Sequence, residues 1–436
     1  MLLPAKRGFQ MHGRHSGRRR SVGLLIIISL YSSAAYLVPL AIKAPWKVTK
    51  MIKSTASVPE LHQLYAEYGE DFNHIHLSAT WVQLSRLSRR QSQLENVNLP
   101  LRLQESSVRQ AARGQLGGRA IANIAHGAAR LGLRREESAE LYAALAVAAL
   151  PRVKEFTPQA MANTAWAYAR SGHSAPALYD SIAAKATHEL DEFNPQNLAN
   201  TAWAFATARR YNASFFDALA REAAPRLGAF SPQALANTAW AFATMGHSAP
   251  YFFDALAEEA VGRCADFDAQ ALANTAWAYA TVGHEAPSLF DELAAHAAPK
   301  LDDFTPQALA NTAWAFASLG HDAPALFDAL GANAASRCHD FSAQNLANTL
   351  LPFAVAGHAS PALLDAVEAA ALPRLQRAEF SPQHMANVAW AFATLGHPAP
   401  AFFDELGSLS TSNLALHIEP CAPHRTLRNR TPRAPS

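Results

Sequence analysis

The chain has 436 residues, half of them hydrophobic and 17% charged, so it holds ample apolar surface for a core. Its net charge of +2 conceals an uneven distribution: residues 1–155 carry 22 Lys and Arg against 10 Asp and Glu, residues 156–406 carry 11 against 24, and residues 407–436 carry 4 against 1. The acidic central region argues against the strongly basic face that most nucleic-acid binders display. Three cysteines without metal-ligand spacing exclude a disulfide framework and predict buried free thiols.

The first 59 residues have the composition of a targeting presequence, because no acidic residue precedes Glu60. Six basic residues precede the uncharged stretch 22–42, whose apolar part has the length of a signal-peptide core and is followed by small residues suited to cleavage. The lysine-containing segment beyond it has transit-peptide composition, and the pair resembles the bipartite presequence of algae with secondary plastids. We therefore predict a plastid location. The alternatives are a mitochondrion, or a membrane anchor through residues 22–42 if that segment stays uncleaved.

Residues 60–155 predict two degenerate helical repeats that precede a regular array. The segment from Phe72 reads as a first helix with one residue deleted relative to the regular units. A second degenerate unit surrounds Asn123, which stands 40 residues before Asn163. Divergent terminal units are expected, since the end of a repeat array must cover the core with a different outer face.

A regular unit recurs seven times over residues 156–406. A phenylalanine opens each unit, and an asparagine follows it seven residues later. The phenylalanines are Phe156, Phe193, Phe230, Phe267, Phe304, Phe341 and Phe380, spaced by 37 residues except for a last step of 39. Periods of this length indicate stacked supersecondary units.

Each regular unit predicts two antiparallel helices, A and B. In the unit from Phe230, Ser231 is a good N-cap and Pro232 suits the first helical turn. Gly246 is placed to end helix A in a left-handed conformation. No strand signal occurs, so we expect an all-α fold: an α-solenoid of about seven regular 37-residue helical-hairpin repeats plus degenerate flanking repeats. Residues 407–436 read as a disordered basic tail.

One face of helix A carries the candidate binding residues. On a helical wheel, Gln233, Asn237 and Thr244 lie within about 40° of one another. Trp240 lies beside them. Because helix A usually lines the concave surface of a two-helix solenoid, stacking would repeat these residues into an uncharged groove edged by aromatic rings. Amides can pair with base edges or ribose hydroxyls and rings can stack on bases, so the groove suits an extended single strand of RNA.

The candidate RNA-binding residues are the recurrent amides of this face. They are Gln159, Asn163, Gln196, Asn200, Gln233, Asn237, Gln270, Asn274, Gln307, Asn311, Gln344, Asn348, Gln383 and Asn387. A repeated asparagine can equally form a ladder that satisfies backbone groups between repeats, so both roles stay open. The recurrent tryptophans are predicted mainly as packing between repeats, since a large ring on an alanine-rich helix is a natural filler.

A position that never varies cannot distinguish one base from another, so discrimination must come from positions that vary. The candidates for specificity follow each glutamine: Ala160, Asn197, Ala234, Ala271, Ala308, Asn345 and His384. A second variable position lies in the last turn of helix A: Arg170, Thr207, Thr244, Thr281, Ser318, Val355 and Thr394. Because both positions vary little, we predict weak sequence discrimination or a preference for a monotonous tract.

A recurrent histidine follows each turn glycine, and a recurrent aspartate lies early in helix B. Each occurs once per unit, which predicts turn and cap contacts, whereas a catalytic centre would be singular. The chain also lacks a glycine-rich phosphate loop, a nucleophile elbow and a His/Glu metal pair. We therefore expect no enzymatic activity, catalytic residue, metal site, cofactor or small-molecule substrate.

Residues 306–320 carry a resemblance to known repeats. They read Pro-Gln-Ala-Leu-Ala-Asn-Thr-Ala-Trp-Ala-Phe-Ala and end in Leu-Gly. This pattern resembles the octotricopeptide and heptatricopeptide repeats of RAP-type proteins, and it is similar to the repeat region of kinetoplastid RNA-editing substrate-binding complex subunits. The resemblance covers about residues 60–406. It implies an organellar, single-stranded RNA-binding protein that acts in RNA processing, stability or translation, with partners from an RNA-processing complex.

A protein-binding α-solenoid scaffold is the alternative function. A neutral concave groove on an acidic solenoid suits a basic or extended peptide as well as it suits RNA. Most acidic residues of the array fall in helix B or in the loops between repeats. We therefore expect the groove itself to be near neutral, with a shallow dependence of RNA binding on salt.

Overall fold

The computed structural model describes residues 45–88 and 98–411, with side chains up to residue 408. The signal-like segment 22–42 and the residues after 411 lie outside this part of the chain. No helix in the described ranges is long and apolar enough to cross a bilayer.

Twenty α-helices follow one another in the described residues, which contain no strand, so the predicted all-α solenoid is confirmed. The odd-numbered helices are A helices: α1 Pro45–Ser54, α3 His74–Ser88, α5 Gly118–Leu131, α7 Pro158–Ser171, α9 Pro195–Thr207, α11 Pro232–Met245, α13 Ala269–Val282, α15 Pro306–Leu319, α17 Ala343–Ala356 and α19 Pro382–Thr394. The even-numbered helices are B helices: α2 Val58–Tyr68, α4 Leu99–Ala112, α6 Arg135–Ala149, α8 Pro176–Ala186, α10 Ala213–Ala223, α12 Pro250–Val261, α14 Pro287–Ala297, α16 Pro324–Arg337, α18 Pro361–Gln376 and α20 Pro400–Thr411.

Short 3-10 segments connect most B helices to the next A helix. They are Gly69–Asp71, Leu150–Glu155, Leu190–Glu192, Ala224–Ala229, Cys264–Asp266, Ala298–Asp303 and Cys338–Asp340. Three of them contain a proline near their start, which removes a backbone donor and ends the α-helical hydrogen bonding.

The predicted ends of helix A are confirmed in atomic detail. The Ser231 hydroxyl accepts a hydrogen bond from the Ala234 N–H at 3.2 Å, and Pro232 occupies the first turn. Gly246 ends α11 with a φ of +61°, and its N–H donates to the Ala243 carbonyl. The same cap and the same left-handed glycine recur in most regular units.

The A helices form one layer and the B helices form another. Neighbouring A helices contact each other along most of their length, because the residues between them are mainly alanine and threonine. The regular B helices α8 to α16 touch each other at few positions. Since the A layer packs more closely than the B layer, the array curves with the A helices on the inner side.

The folded array begins earlier than predicted. Val48 and Ile52 of α1 are buried against α3, and the Gln83 amide donates to the Thr55 carbonyl at 2.6 Å. Residues 45–59 were assigned to the presequence, but they form an additional A helix and the start of its B helix.

The predicted deletion in the unit from Phe72 is wrong. Thr80 bonds the carbonyl four residues earlier, at 2.8 Å, as Thr238 does at 2.7 Å, and both stand eight residues after the phenylalanine of their unit. Trp81 is buried, and its indole N–H donates to the Ser107 hydroxyl at 3.0 Å. Gly127 permits this close packing, because a Cβ there would lie 3.0 Å from the Trp81 backbone.

A recurrent contact within each repeat, between the end of helix B and the start of helix A, was not predicted from the sequence. Arg263 donates to the Phe230 carbonyl at 2.7 Å, across 33 residues. Equivalent contacts join Arg226 to the Phe193 carbonyl, Lys300 to the Phe267 carbonyl and Arg337 to the Phe304 carbonyl. The signal was present as a basic residue four positions before the next phenylalanine, but its acceptor lies 33 residues earlier, at the start of the same repeat.

Candidate functional site

The accessible surface of a regular A helix is one narrow stripe. In α11, Gln233 is exposed, and Asn237, Trp240 and Thr244 are half-buried. Every residue between Gln233 and Thr244 outside these positions is buried. The A-helix stripe is defined here by the four positions of Gln233, Asn237, Trp240 and Thr244 and by their equivalents in the other A helices.

The fourteen recurrent amides lie where the helical wheel placed them. All seven glutamines are exposed, six of the seven asparagines are half-buried, and Asn348 is exposed. Within the described residues, the only side-chain hydrogen bond among them joins Gln383 to Asn387 at 2.9 Å. The asparagines thus form no ladder between the described repeats, and their amide groups are available to a ligand.

The tryptophans of the stripe pack between repeats and keep an accessible part. Trp166 and Trp203 have ring centroids 6.5 Å apart with planes tilted by 35°, and Trp240 and Trp277 have the same spacing with a tilt of 34°. These rings rest against the core but are only partly buried, and Trp390 is 45% exposed. The row of indoles can therefore stabilise the stack and still offer ring surface to a base.

The candidate specificity residues do not lie on the stripe. Ala160, Ala234 and Ala271 are buried in the core, while the other four residues are half-buried. A step of one residue along a helix rotates the side chain by about 100°, which turns this position away from the accessible face. The last-turn position remains on the stripe, and five of its seven residues are exposed: Arg170, Thr207, Thr281, Val355 and Thr394.

The recurrent histidines and aspartates connect successive repeats. His284 Nε2 lies 2.9 Å from Asp254 Oδ1 of the preceding unit, and His358 Nε2 lies 2.8 Å from Asp328 Oδ1. His247 and His321 make the same contact with Asp217 and Asp291. Each pair holds one histidine and one carboxylate, and no group of three potential metal ligands occurs in the described residues.

Negative charge is absent from the A helices. Not one of the ten A helices of the described chain contains Asp or Glu, from α1 to α19. The acidic residues of the described array lie in B helices, 3-10 segments, N-caps and loops. The expected separation of charge from the groove is therefore complete along the helices that line it.

The two described cysteines are buried free thiols, as predicted. Cys264 is 1% exposed and Cys338 is 2% exposed. Burial raises the pKa of Cys264 to about 12 and that of Cys338 to about 11, because a thiolate loses its hydration in the core.

These thiols are expected to resist modification in the folded protein. With a pKa of about 12, about one Cys264 side chain in ten thousand would be ionised at pH 8, and the thiolate is the reactive form. In a Cys421→Ser variant, a disulfide reagent such as DTNB should label neither thiol until urea unfolds the array. Rapid labelling of both thiols in native buffer would contradict the burial of Cys264 and Cys338.

The fold and the stripe define the class of this protein. Stacked A helices without acidic residues, carrying free amides and partly accessible indoles, form an α-solenoid suited to an extended polymeric ligand. Residues 88–338, from the end of α3 to the end of α16, match the RNA-editing substrate-binding complex 6 protein family, and the chain belongs to that family. This confirms the sequence-based resemblance to RNA-editing substrate-binding complex subunits. No curated protein matches the sequence.

Proposed function

We propose that the protein binds single-stranded RNA along the A-helix stripe and acts in organellar RNA processing together with protein partners. The observation that carries this proposal is the stripe itself: ten consecutive A helices without a carboxylate, with amides that have almost no partner in the described protein. The family name, which refers to RNA editing and to a complex, supports both kinds of partner. The plastid location, with its mitochondrial and membrane-anchored alternatives, rests on the presequence alone.

The stripe can hold a strand by hydrogen bonding and stacking. Each regular repeat presents one glutamine and one asparagine, whose amides donate and accept at once and can meet base edges or ribose hydroxyls. Stacking of a base on an aromatic ring contributes about 1–3 kcal/mol. Some helical-repeat proteins bind one base per repeat. At that ratio, the seven regular units would bind roughly seven nucleotides.

Weak base discrimination follows from the same geometry. The stripe repeats the same amides in every regular unit, and the variable residues after each glutamine are turned into the core or are only partly accessible. The last-turn position varies mainly among Thr, Ser and Val, which are small and similar. A strand of mixed sequence should therefore bind about as well as its scrambled counterpart.

The test is fluorescence anisotropy of the full chain with a labelled 20-nucleotide RNA. We expect binding of the single strand, similar binding of a scrambled strand, and much weaker binding of the same sequence annealed into a duplex, whose bases are not accessible for stacking. Absence of binding to every single strand, together with binding to a basic extended peptide, would favour the scaffold function instead.

A further inference from the structure

The A-helix stripe continues past the regular repeats to the N-terminal end of the array. Counting from the first residue of each A helix, Trp46 of α1 occupies the glutamine position, Lys50 the asparagine position and Lys53 the tryptophan position. The equivalent residues of α3 are Ile75, Ala79, Val82 and Arg86, and those of α5 are Arg119, Asn123, His126 and Arg130.

The burial of these residues supports this alignment. Trp46 is 64% exposed, Ile75 is 48% exposed, and Lys50, Lys53, Arg86 and Arg119 are also exposed. An open cleft between α1 and α3 is lined by Pro45, Trp46, Thr49, Lys50, Lys53 and Ile75. The side chains of the α1 stripe and the first stripe residue of α3 therefore share one surface.

Positive charge on the stripe is confined to this end. The stripe residues of α1, α3, α5 and α7 include six cations: Lys50, Lys53, Arg86, Arg119, Arg130 and Arg170. No Lys or Arg occurs in α9, α11, α13, α15, α17 or α19. The inner layer is thus basic over its first four helices and uncharged over its last six.

The cations of the described array differ in whether a contact within the fold uses them. Those that follow the ends of B helices are engaged: Arg226 and Arg263 each donate to the backbone carbonyl of the phenylalanine that opens their own repeat, and each pairs with a glutamate four residues earlier. Arg86, Arg119 and Arg170 are exposed and form no hydrogen bond or ion pair with any described residue. Their charge serves no contact that stabilises the described fold.

We propose that the stripe of α1, α3, α5 and α7 is the phosphate-binding end of the RNA site, which anchors the anionic backbone while the uncharged repeats contact the bases. This proposal rests on the proposed function and assigns the electrostatic part of it to one end of the array. Exposed arginines suit phosphate because the guanidinium donates two parallel hydrogen bonds. Trp46 lies in the same cleft and offers an exposed ring for a base.

The salt dependence of binding tests this assignment. Each phosphate contact to a single strand contributes about −0.7 to the slope of log K against log salt. The variant R86Q/R119Q/R170Q should therefore show a slope shallower by about 2 and an affinity about 10- to 100-fold lower at 0.1 M salt. The control R113Q/K154Q/R221Q removes the same charge from exposed residues outside the stripe and should change neither quantity appreciably.

The outcomes separate this proposal from the proposed function. If the unmodified chain binds RNA and R86Q/R119Q/R170Q shows the same slope of log K against log salt, the proposed phosphate-binding end is wrong. The proposed RNA binding is then unaffected. Equal losses of RNA affinity in both triple variants would show that the cations attract RNA only through the overall charge of the protein. That result would also overturn the proposed phosphate-binding end. Displacement of RNA by polyglutamate at equal charge concentration would overturn the RNA assignment. Melting curves of both variants, expected to match the unmodified chain, exclude unfolding as the cause of any loss.

Discussion

Replacement of Asn200, Asn237 and Asn274 by alanine is expected to weaken RNA binding by about 100-fold. Each substitution removes a hydrogen-bonding amide from the middle of the stripe, at about 1 kcal/mol per net hydrogen bond. Three such losses amount to about 3 kcal/mol, or two decades in Kd. The stability of the fold should change little, because these amides bond to no described residue and alanine has the higher helix propensity.

The threonines that directly follow these asparagines provide a matched control. Thr201, Thr238 and Thr275 stand in the same three helices, but each is fully buried. Their replacement by alanine should lower the free energy of unfolding, since Thr201 and Thr238 also bond a carbonyl of their own helix, and should spare RNA affinity of the folded protein. Urea unfolding and anisotropy on both triple variants give the comparison. Loss of stability with unchanged affinity in the asparagine variant would identify a structural role instead.

Much of the regular fold could be predicted because its signals are local. The N-cap at Ser231 and the turn at Gly246 are each specified by residues within one helical turn. The 37-residue period then extends the same local solution along the chain. Helix α1 was missed because neither the phenylalanine nor the asparagine of the repeat marks it; Lys50 stands at its asparagine position.

Contacts between helices could not be predicted, because they join residues that are distant in the sequence. The carbonyl that binds Arg263 belongs to Phe230, and the carboxylate beside His284 belongs to Asp254. Composition correctly indicated an acidic array. Only the arrangement of the helices shows that the acidic residues lie outside the A helices of the inner layer. Ala234, a candidate for specificity, is buried because one residue beyond Gln233 the helix has turned by about 100° from its accessible face.

Truncation of Phe242 to alanine should have the largest effect on stability, a loss of about 4 kcal/mol. Its ring is fully buried, stacks on Phe252 at 4.6 Å and meets the edge of Phe216 in the preceding repeat at 5.2 Å. The cavity would thus open between two repeats. In a solenoid, stability is a sum of repeat and nearest-neighbour terms, so a weakened central interface also interrupts the stripe that depends on it.

The repeats themselves contain the control for this substitution. Tyrosine occupies the same position in α7 and α13, where Tyr168 and Tyr279 each donate a 2.7 Å hydrogen bond to a carbonyl 26 residues earlier. Phe242→Tyr places its hydroxyl toward the equivalent Phe216 carbonyl and should leave the free energy of unfolding within about 1 kcal/mol of the unmodified chain. Urea denaturation should separate the two variants. A similar loss of unfolding free energy for Phe242→Tyr and Phe242→Ala would mean that α11 does not pack as α7 and α13 do. That result would contradict the structural equivalence of the repeats, on which the continuity of the A-helix stripe depends.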